Sequence, residues 1–190
     1  MQTEKIGYER KKDPAKVRAA LIDATSKLIA DRGLARLTVD AVAKAAGVTK
    51  GGLFHHFATK QALIDGVLDM MIANADADMD AAMAGDPEPH GRFTRALLNA
   101  IFGDRPVDDY ASSRTLCLAM LSDPALQQRW ASWIAARIER HADTDDNIQC
   151  AIARLAADGL WLSSLHDADA RPPITDDVRA ALIAMTRASP

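Results

Sequence analysis

The sequence predicts an all-α protein, and three observations carry that prediction. Alanine fills 37 of the 190 positions, and alanine is the strongest helix former. Aromatic residues make up only 5%, and no stretch alternates apolar and polar side chains as a half-buried strand does. Apolar residues instead recur every three or four positions, in segments bounded by capping residues, glycines and prolines. The expected architecture has about nine helices in total. A three-helix N-terminal domain with a helix-turn-helix pattern is followed by a larger helical C-terminal domain.

The elements follow in order. Residues 1–12 form a basic tail with nothing to bury: Lys5, Arg10, Lys11 and Lys12. Asp13-Pro14 starts the first helix, with a capping carboxylate and a proline at the first helical position. Val17, Leu21, Ala24, Leu28 and Ile29 make its apolar face, and Gly33 suits its end. Thr38 caps a short helix with Val39, Val42, Ala43 and Ala46 on one face; Gly47 ends it. Thr49 caps another short helix through Leu53 and Phe57, both read as core. Thr59 caps a long one running on Leu63, Val67, Met70, Met71 and Asn74 toward Ala84. Gly85-Asp86-Pro87-Glu88-Pro89 is the clearest break. Helices are expected beyond it near 90–102, 107–122, 124–142, 145–166 and 175–188. The domains expected are 13–60 and 61–190.

Composition narrows the class. Apolar residues are 48%, charged residues 26%, and Gly and Pro number 10 and 8, which is ordinary for a globular chain. No apolar run reaches 18 residues, so no spanning helix is expected. MQTEKIGYERKKDP lacks the apolar stretch of a secretory signal. Cys117 and Cys150 are too few for a four-thiolate zinc site or a disulfide framework. The expectation is a cytoplasmic protein with reduced thiols, away from membranes.

Charge is unevenly spread. Residues 1–60 hold 12 Lys or Arg against 6 Asp or Glu, a balance of +6, whereas residues 61–190 hold 11 against 20, a balance of −9. No lysine lies beyond Lys60. A basic N-terminal third on an acidic body suits one surface that meets an anion; a merely solvated charged face is the alternative. Two helices of about two turns each, joined at Ala46-Gly47-Val48-Thr49, form a helix-turn-helix pattern. Gly47 permits positive φ there. A generic corner between two helices would look similar.

The segment from Thr38 to Leu63, TVDAVAKAAGVTKGGLFHHFATKQAL, resembles the DNA-binding signature of the tetracycline-repressor (TetR) family of bacterial transcription regulators. The resemblance covers roughly residues 14–65; the remaining helices fit in number and length alone. Phe54 stands where that family usually has Tyr, which removes a phenolic hydrogen bond to phosphate. Gln61 stands where Glu is frequent.

A recognition helix enters the major groove by its N-terminal end, here Thr49-Lys50-Gly51-Gly52. Thr49 offers a hydroxyl, and Lys50 suits a phosphate or a guanine acceptor pair. Gly51 and Gly52 cost roughly 1 kcal/mol each against Ala, which makes sense where backbone passes close to DNA; a poorly formed helix start is the alternative. Phe54 can touch a thymine methyl, and His55 and His56 can donate to phosphate or a base edge, unless His56 packs on the first helix. Lys60 and Thr38 sit at helix N-termini, where anions are favoured. Lys44 completes the set, or is simply solvated.

The resemblance further implies a small-molecule site and a homodimer in the larger domain. The last two helices would pair with a second copy. Ile148, Ile152, Leu155, Gly159, Leu162 and Leu165 form a stripe in the first of them, and Val178, Ala181, Leu182 and Met185 lie on the second. Candidate ligand residues are Phe102, Tyr110, Met120, Trp130, Trp133, Trp161 and His166, each also readable as plain core. They favour a mainly apolar or aromatic effector. No catalytic residue, metal site or cofactor is expected. The reading is a regulator, most simply a repressor released from a palindromic double-stranded DNA operator by that effector. The alternative is a dimeric helical DNA-binding or assembly protein without an effector.

Overall fold

The computed structural model describes residues 13–102, 115–163 and 176–188. No strand occurs among them. The expected basic tail, residues 1–12, lies outside them. The chain divides into two compact units, Met1–Val67 and Leu68–Pro190.

In the first unit, α1 spans Pro14–Arg32. The Asp13 carboxylate accepts from the N–H groups of Ala15 and Lys16 at 3.1 and 3.4 Å. Gly33 closes the helix at φ +77°, donating to the Ile29 carbonyl. A single 3₁₀ turn, Leu34–Arg36, leads to α2, Val39–Ala45, and then α3, Lys50–His56. The long helix α4 begins at Lys60 and runs to Ala84, so it belongs to both units. Each start is built as the sequence requires. Thr38 Oγ1 accepts from Ala41, Thr49 Oγ1 from Gly52 and Thr59 Oγ1 from Ala62, at 3.0–3.2 Å. Leu21, Ile22, Ile29, Val42, Leu53, Phe57, Leu63 and Val67 are buried.

The second half of α4 corrects the expected apolar run. Met70 and Met71 are half-buried and Asn74 is exposed, whereas Leu68, Met79 and Met83 are buried. Past Val67 the buried residues are Leu68, Met79 and Met83, with Ile72 and Ala75 half-buried between them, a stripe beside the expected face rather than on it.

The second unit continues with α5, Arg92–Phe102, and a helix α6 described over 115–121. After these come α7 (Pro124–Arg140), α8 (Ala142–Asp145), α9 (Ile148–Ser163) and α10 (Asp176–Met185). Ten helices, not about nine, therefore occur among the described residues. The extra one is α8, which falls across the expected break between the helices at 124–142 and 145–166. Asp145 is the reason. Its buried carboxylate accepts from the Thr94 N–H and hydroxyl at 2.7 and 2.6 Å, so it caps α5 from 51 residues away. Turning that carboxylate inward breaks the helix. The chain restarts with Asn147 accepting from Cys150 N–H at 2.9 Å.

Two apolar clusters fill this unit. Met79, Met83, Phe93, Ala96 and Leu97 pack with Trp133, Ile134 and Ile138 against them. Leu98, Ala153, Ala157 and Leu182 form the other. Charge does the rest. Arg95, 5% exposed, donates to Asp86 Oδ2 at 2.6 Å and to the carbonyls of Glu88, His90 and Thr186 at 2.6–3.0 Å. That single guanidinium ties the 86–90 loop and the end of α10 to α5. In return, its hydrogen bond holds the Asp86 carboxyl below the usual carboxylate range. Between α4 and α7 runs a polar ladder. Arg129 meets Asp69 at 2.6 Å, the Trp133 indole N–H meets Asp76 at 3.1 Å, and Arg137 meets Asp80 at 2.7 Å.

Gly91 is the tightest point of the unit. Its φ is +68°, and a Cβ there would lie 2.0 Å from the Thr186 carbonyl oxygen. Gly47 has a similar φ of +66° with open space around it. Gly47→Ala should therefore cost only the left-handed backbone term, about 1–2 kcal/mol. Gly91→Ala should add an overpacking cost and total about 2–4 kcal/mol. Urea unfolding followed by circular dichroism checks this. Equal losses at the two positions would contradict the close approach of α5 and α10.

Candidate nucleic-acid interface

α3 has seven residues and two glycines, so its position is set by burial rather than by propensity. Leu53 is fully buried and Phe57, just beyond the last turn, is 3% exposed. The Arg18 guanidinium of α1 lies 4.8 Å from the Phe57 ring centroid. On the other side a Cβ at Gly66 would meet Phe57 Cε1 at 3.1 Å, so the missing side chain at Gly66 gives the ring its room. Gly47 turns the chain between α2 and α3 at positive φ, with Val48 half-buried beside it and Ala43 buried.

This anchoring leaves the opposite face of α3 in solvent. Thr49, Lys50, Gly51, Phe54 and His55 are exposed, and Gly52 and His56 are half-buried. Phe54 is 42% exposed, unusual for so large an apolar ring. The two histidine rings meet edge to face at 5.5 Å. Nothing lies within 4 Å of a Cβ built at Gly51, whereas one at Gly52 would meet the capping hydroxyl of Thr49 at 3.2 Å. Lys44, Lys60 and Thr38 are exposed, and the Thr38 hydroxyl already caps α2. The helix-turn-helix thus gathers Thr49, Lys50, Gly51, Phe54 and His55 on one exposed surface. Sequence reasoning missed one contact on it: Lys50 Nζ pairs with Asp40 Oδ1 at 3.1 Å. Within residues 38–60 Asp40 is the only acidic residue, and that was the available signal.

The ligand candidates are placed less uniformly. Tyr110 and His166 lie outside the described residues, as does the side chain of Phe102 at the end of α5. Met120 is 2% exposed; Trp130, Trp133 and Trp161 are half-buried. Trp130 and Trp133 pack at 4.7 Å between centroids, and Trp133 covers the Phe93 cluster. A surface groove of about 380 Å³ runs past His90, Asn147, Met185 and Arg187 and includes none of the seven. Sequence reasoning also missed the surroundings of Phe93. The His141 ring stacks on it at 5.0 Å and the Arg137 guanidinium lies 5.7 Å from its centroid. Arg137 Nε and His141 Nε2 are buried without a hydrogen-bond partner among the described residues. Burial, then the charge of Arg137, pushes the His141 pKa down. Burial also pushes the Cys117 thiol up to about 11, which leaves it unreactive at neutral pH. No cluster of metal-ligating side chains occurs among the described residues, and no helix there is long and apolar enough to cross a membrane.

Known proteins align with both units. The sequence model of bacterial regulatory proteins of the tetR family matches residues 21–67, and that of the tetracyclin repressor-like C-terminal domain matches residues 91–187. The HTH-type transcriptional regulator EthR of Mycolicibacterium smegmatis is 29% identical over 62% of this chain and 56% of its own length. The HTH-type transcriptional repressor KstR2 of Rhodococcus jostii is 43% identical over 27% of this chain and 25% of its own. The chain thus matches little more than half the length of EthR and a quarter of the length of KstR2. The crystal structure of the multidrug binding protein EbrR complexed with malachite green superposes with a TM-score of 0.67 at 26% identity, covering 90% of this chain and 98% of that one. On the two matched domains, one within each compact unit, the chain belongs to the tetracycline-repressor family of bacterial transcription regulators.

Proposed function

We propose that the chain is a ligand-responsive regulator that binds a palindromic duplex operator as a homodimer and is released from it by a small, mainly apolar molecule. The observation that carries the DNA reading is the α3 surface. Leu53 and Phe57 are buried on one side, while Thr49, Lys50, Gly51, Phe54 and His55 stand in solvent on the other. Such a helix presents its N-terminal end to base edges. Thr49, Lys50 and Gly52 lie at that end. Gly51 brings backbone close because its open side holds no Cβ. Phe54, His55 and His56 follow one turn on. Thr38, Lys44 and Lys60 flank them with donors for the sugar-phosphate backbone.

The dimer reading rests on α9. Ile148, Ile152, Leu155 and Leu162 are 44–70% exposed at spacings of four, three and seven. The same helix buries Cys150, Ala153 and Ala157 in its own unit. A helix with apolar residues on both faces fits between two partners. Val178 of α10, 40% exposed, widens the patch.

The effector reading rests on Trp130, Trp133 and the apolar cluster around Phe93. There the unpaired nitrogens of Arg137 and His141 would take a polar tip of the ligand. That EbrR binds malachite green supports an aromatic molecule. The ligand must favour a conformation that fits the operator poorly, and α4, shared by both units, is the element available to carry the change. The chain's function is regulatory rather than catalytic, and its compartment is the cytoplasm.

Three measurements test these readings. Lys60→Ala should weaken binding to every duplex and lower the salt slope of log K by about 0.9, the loss of one phosphate contact. Lys50→Ala should in addition change base preference. Parental behaviour of both variants across several salt concentrations would contradict this docking surface. In sedimentation, the protein should run near twice 20.5 kDa, and a variant carrying Ile152→Glu and Leu155→Glu should run as monomer. A monomeric parent would remove both the dimer and the palindrome. Once an effector is found, calorimetry should show operator DNA weakening its binding by the factor with which it weakens operator binding, about 5–150-fold in typical cases. Equal affinity with and without operator would mean that the site is not a switch.

A further inference from the structure

The recognition surface carries its own competitor for DNA. Lys50 is the first residue of α3, and its ammonium sits 3.1 and 3.2 Å from the two carboxylate oxygens of Asp40. Both side chains are well exposed, at 57% and 73%, so neither is held by burial and the pair stands on the face that would meet the duplex. Asp40 lies in the first turn of α2, where the helix dipole favours its charge. It is the only carboxylate between residues 38 and 60, against Lys44, Lys50 and Lys60. A carboxylate on a surface built to meet phosphates works against non-specific affinity.

We propose that Asp40 is a specificity-determining residue. It holds the Lys50 charge in the free protein and gives it up only where a base offers a better partner. The inference rests on the DNA-binding reading above and goes beyond it. On mixed-sequence DNA, Lys50 either stays with Asp40 and releases no counterion, or moves to a phosphate and leaves Asp40 facing the negative backbone. Either way the non-specific complex is weakened. On the operator, a guanine O6/N7 acceptor pair in the major groove holds the ammonium at a fixed point and offsets the loss. Asp40 thus lowers affinity for bulk DNA more than affinity for the operator.

The test measures Asp40→Asn, Lys50→Ala and the double variant by fluorescence anisotropy across a salt series. The probes are a duplex selected by the parent from a randomised pool and a mixed-sequence duplex of equal length. Circular dichroism confirms that each variant is folded. Exposed ion pairs of this kind shift equilibria by roughly 1.4- to 5-fold. Asp40→Asn should raise affinity for the mixed duplex by about that factor and steepen its salt slope by up to about 0.9. The gain on the selected duplex should be smaller, so the specificity ratio falls. In the Lys50→Ala background, Asp40→Asn should give a clearly smaller gain on the mixed duplex, that of relieving its own repulsion from phosphate alone. Weaker binding of Asp40→Asn to the selected duplex, with no gain on the mixed one, would overturn the proposal, because Asp40 would then only position Lys50. An equal gain without Lys50 would overturn it too, since the effect would be general charge. A parent that binds neither duplex overturns the DNA reading itself; a binding parent that Asp40→Asn leaves unchanged overturns only the inference.

Discussion

A helix of seven residues with two glycines has no stability of its own in water, and the surface proposed to meet DNA depends on that fact. α3 exists because Leu53 and Phe57 are buried beneath it. Burying two such side chains contributes about 1.5–3 kcal/mol each, which exceeds the roughly 2 kcal/mol that Gly51 and Gly52 withhold relative to alanine. The margin is narrow, so the anchor is reinforced from both sides. Arg18 stacks on Phe57, and Gly66 leaves room for its ring. The arrangement lets α3 keep glycine on its exposed face, where a side chain would hold its backbone away from a groove.

The second unit solves a different problem. Its helices meet through buried charge as much as through apolar packing. Asp145 supplies the N-terminal cap of α5, Arg95 gathers three carbonyls and a carboxylate, and Arg137 reaches Asp80 from a site only 3% exposed. Buried ions gain little net stability, but removing one partner strands the other at high cost. Such contacts fix which helix turn faces which. The α4–α7 ladder does so for the helix that both units share, with Asp69, Asp76 and Asp80 answering Arg129, Trp133 and Arg137 rung by rung.

Local signals were legible in the sequence because their physics is local. Asp13-Pro14, Thr38, Thr49 and Thr59 each cap the helix they precede, and Gly33 and Gly47 both take positive φ. Leu53 and Phe57 are core as their spacing implied. Contacts between distant residues were not legible. Nothing near Asp145 says that it will cap a helix 51 positions earlier, and that one contact created α8 and delayed α9. The buried stripe of α4 shifts past Val67 because a different set of helices covers it, which periodicity within α4 cannot reveal. Arg95 and Arg137 read as solvated charges in a sequence and are buried in the fold. At the candidate site, the exposed residues of α3 followed from the helix-turn-helix pattern. The Asp40–Lys50 pair did not, since it joins two helices across a turn.

The central claim is that α3 reads base edges, two copies at a time. Selection of bound duplexes from a randomised pool by the purified protein tests it most directly. The account predicts enrichment of a two-fold symmetric sequence whose half-sites lie about 34–36 Å apart or a multiple of that, with methylation of guanine N7 in each half-site interfering with binding. A pool that stays random while binding falls steeply with salt would contradict it, because the exposed face of α3 would then be meeting phosphates alone.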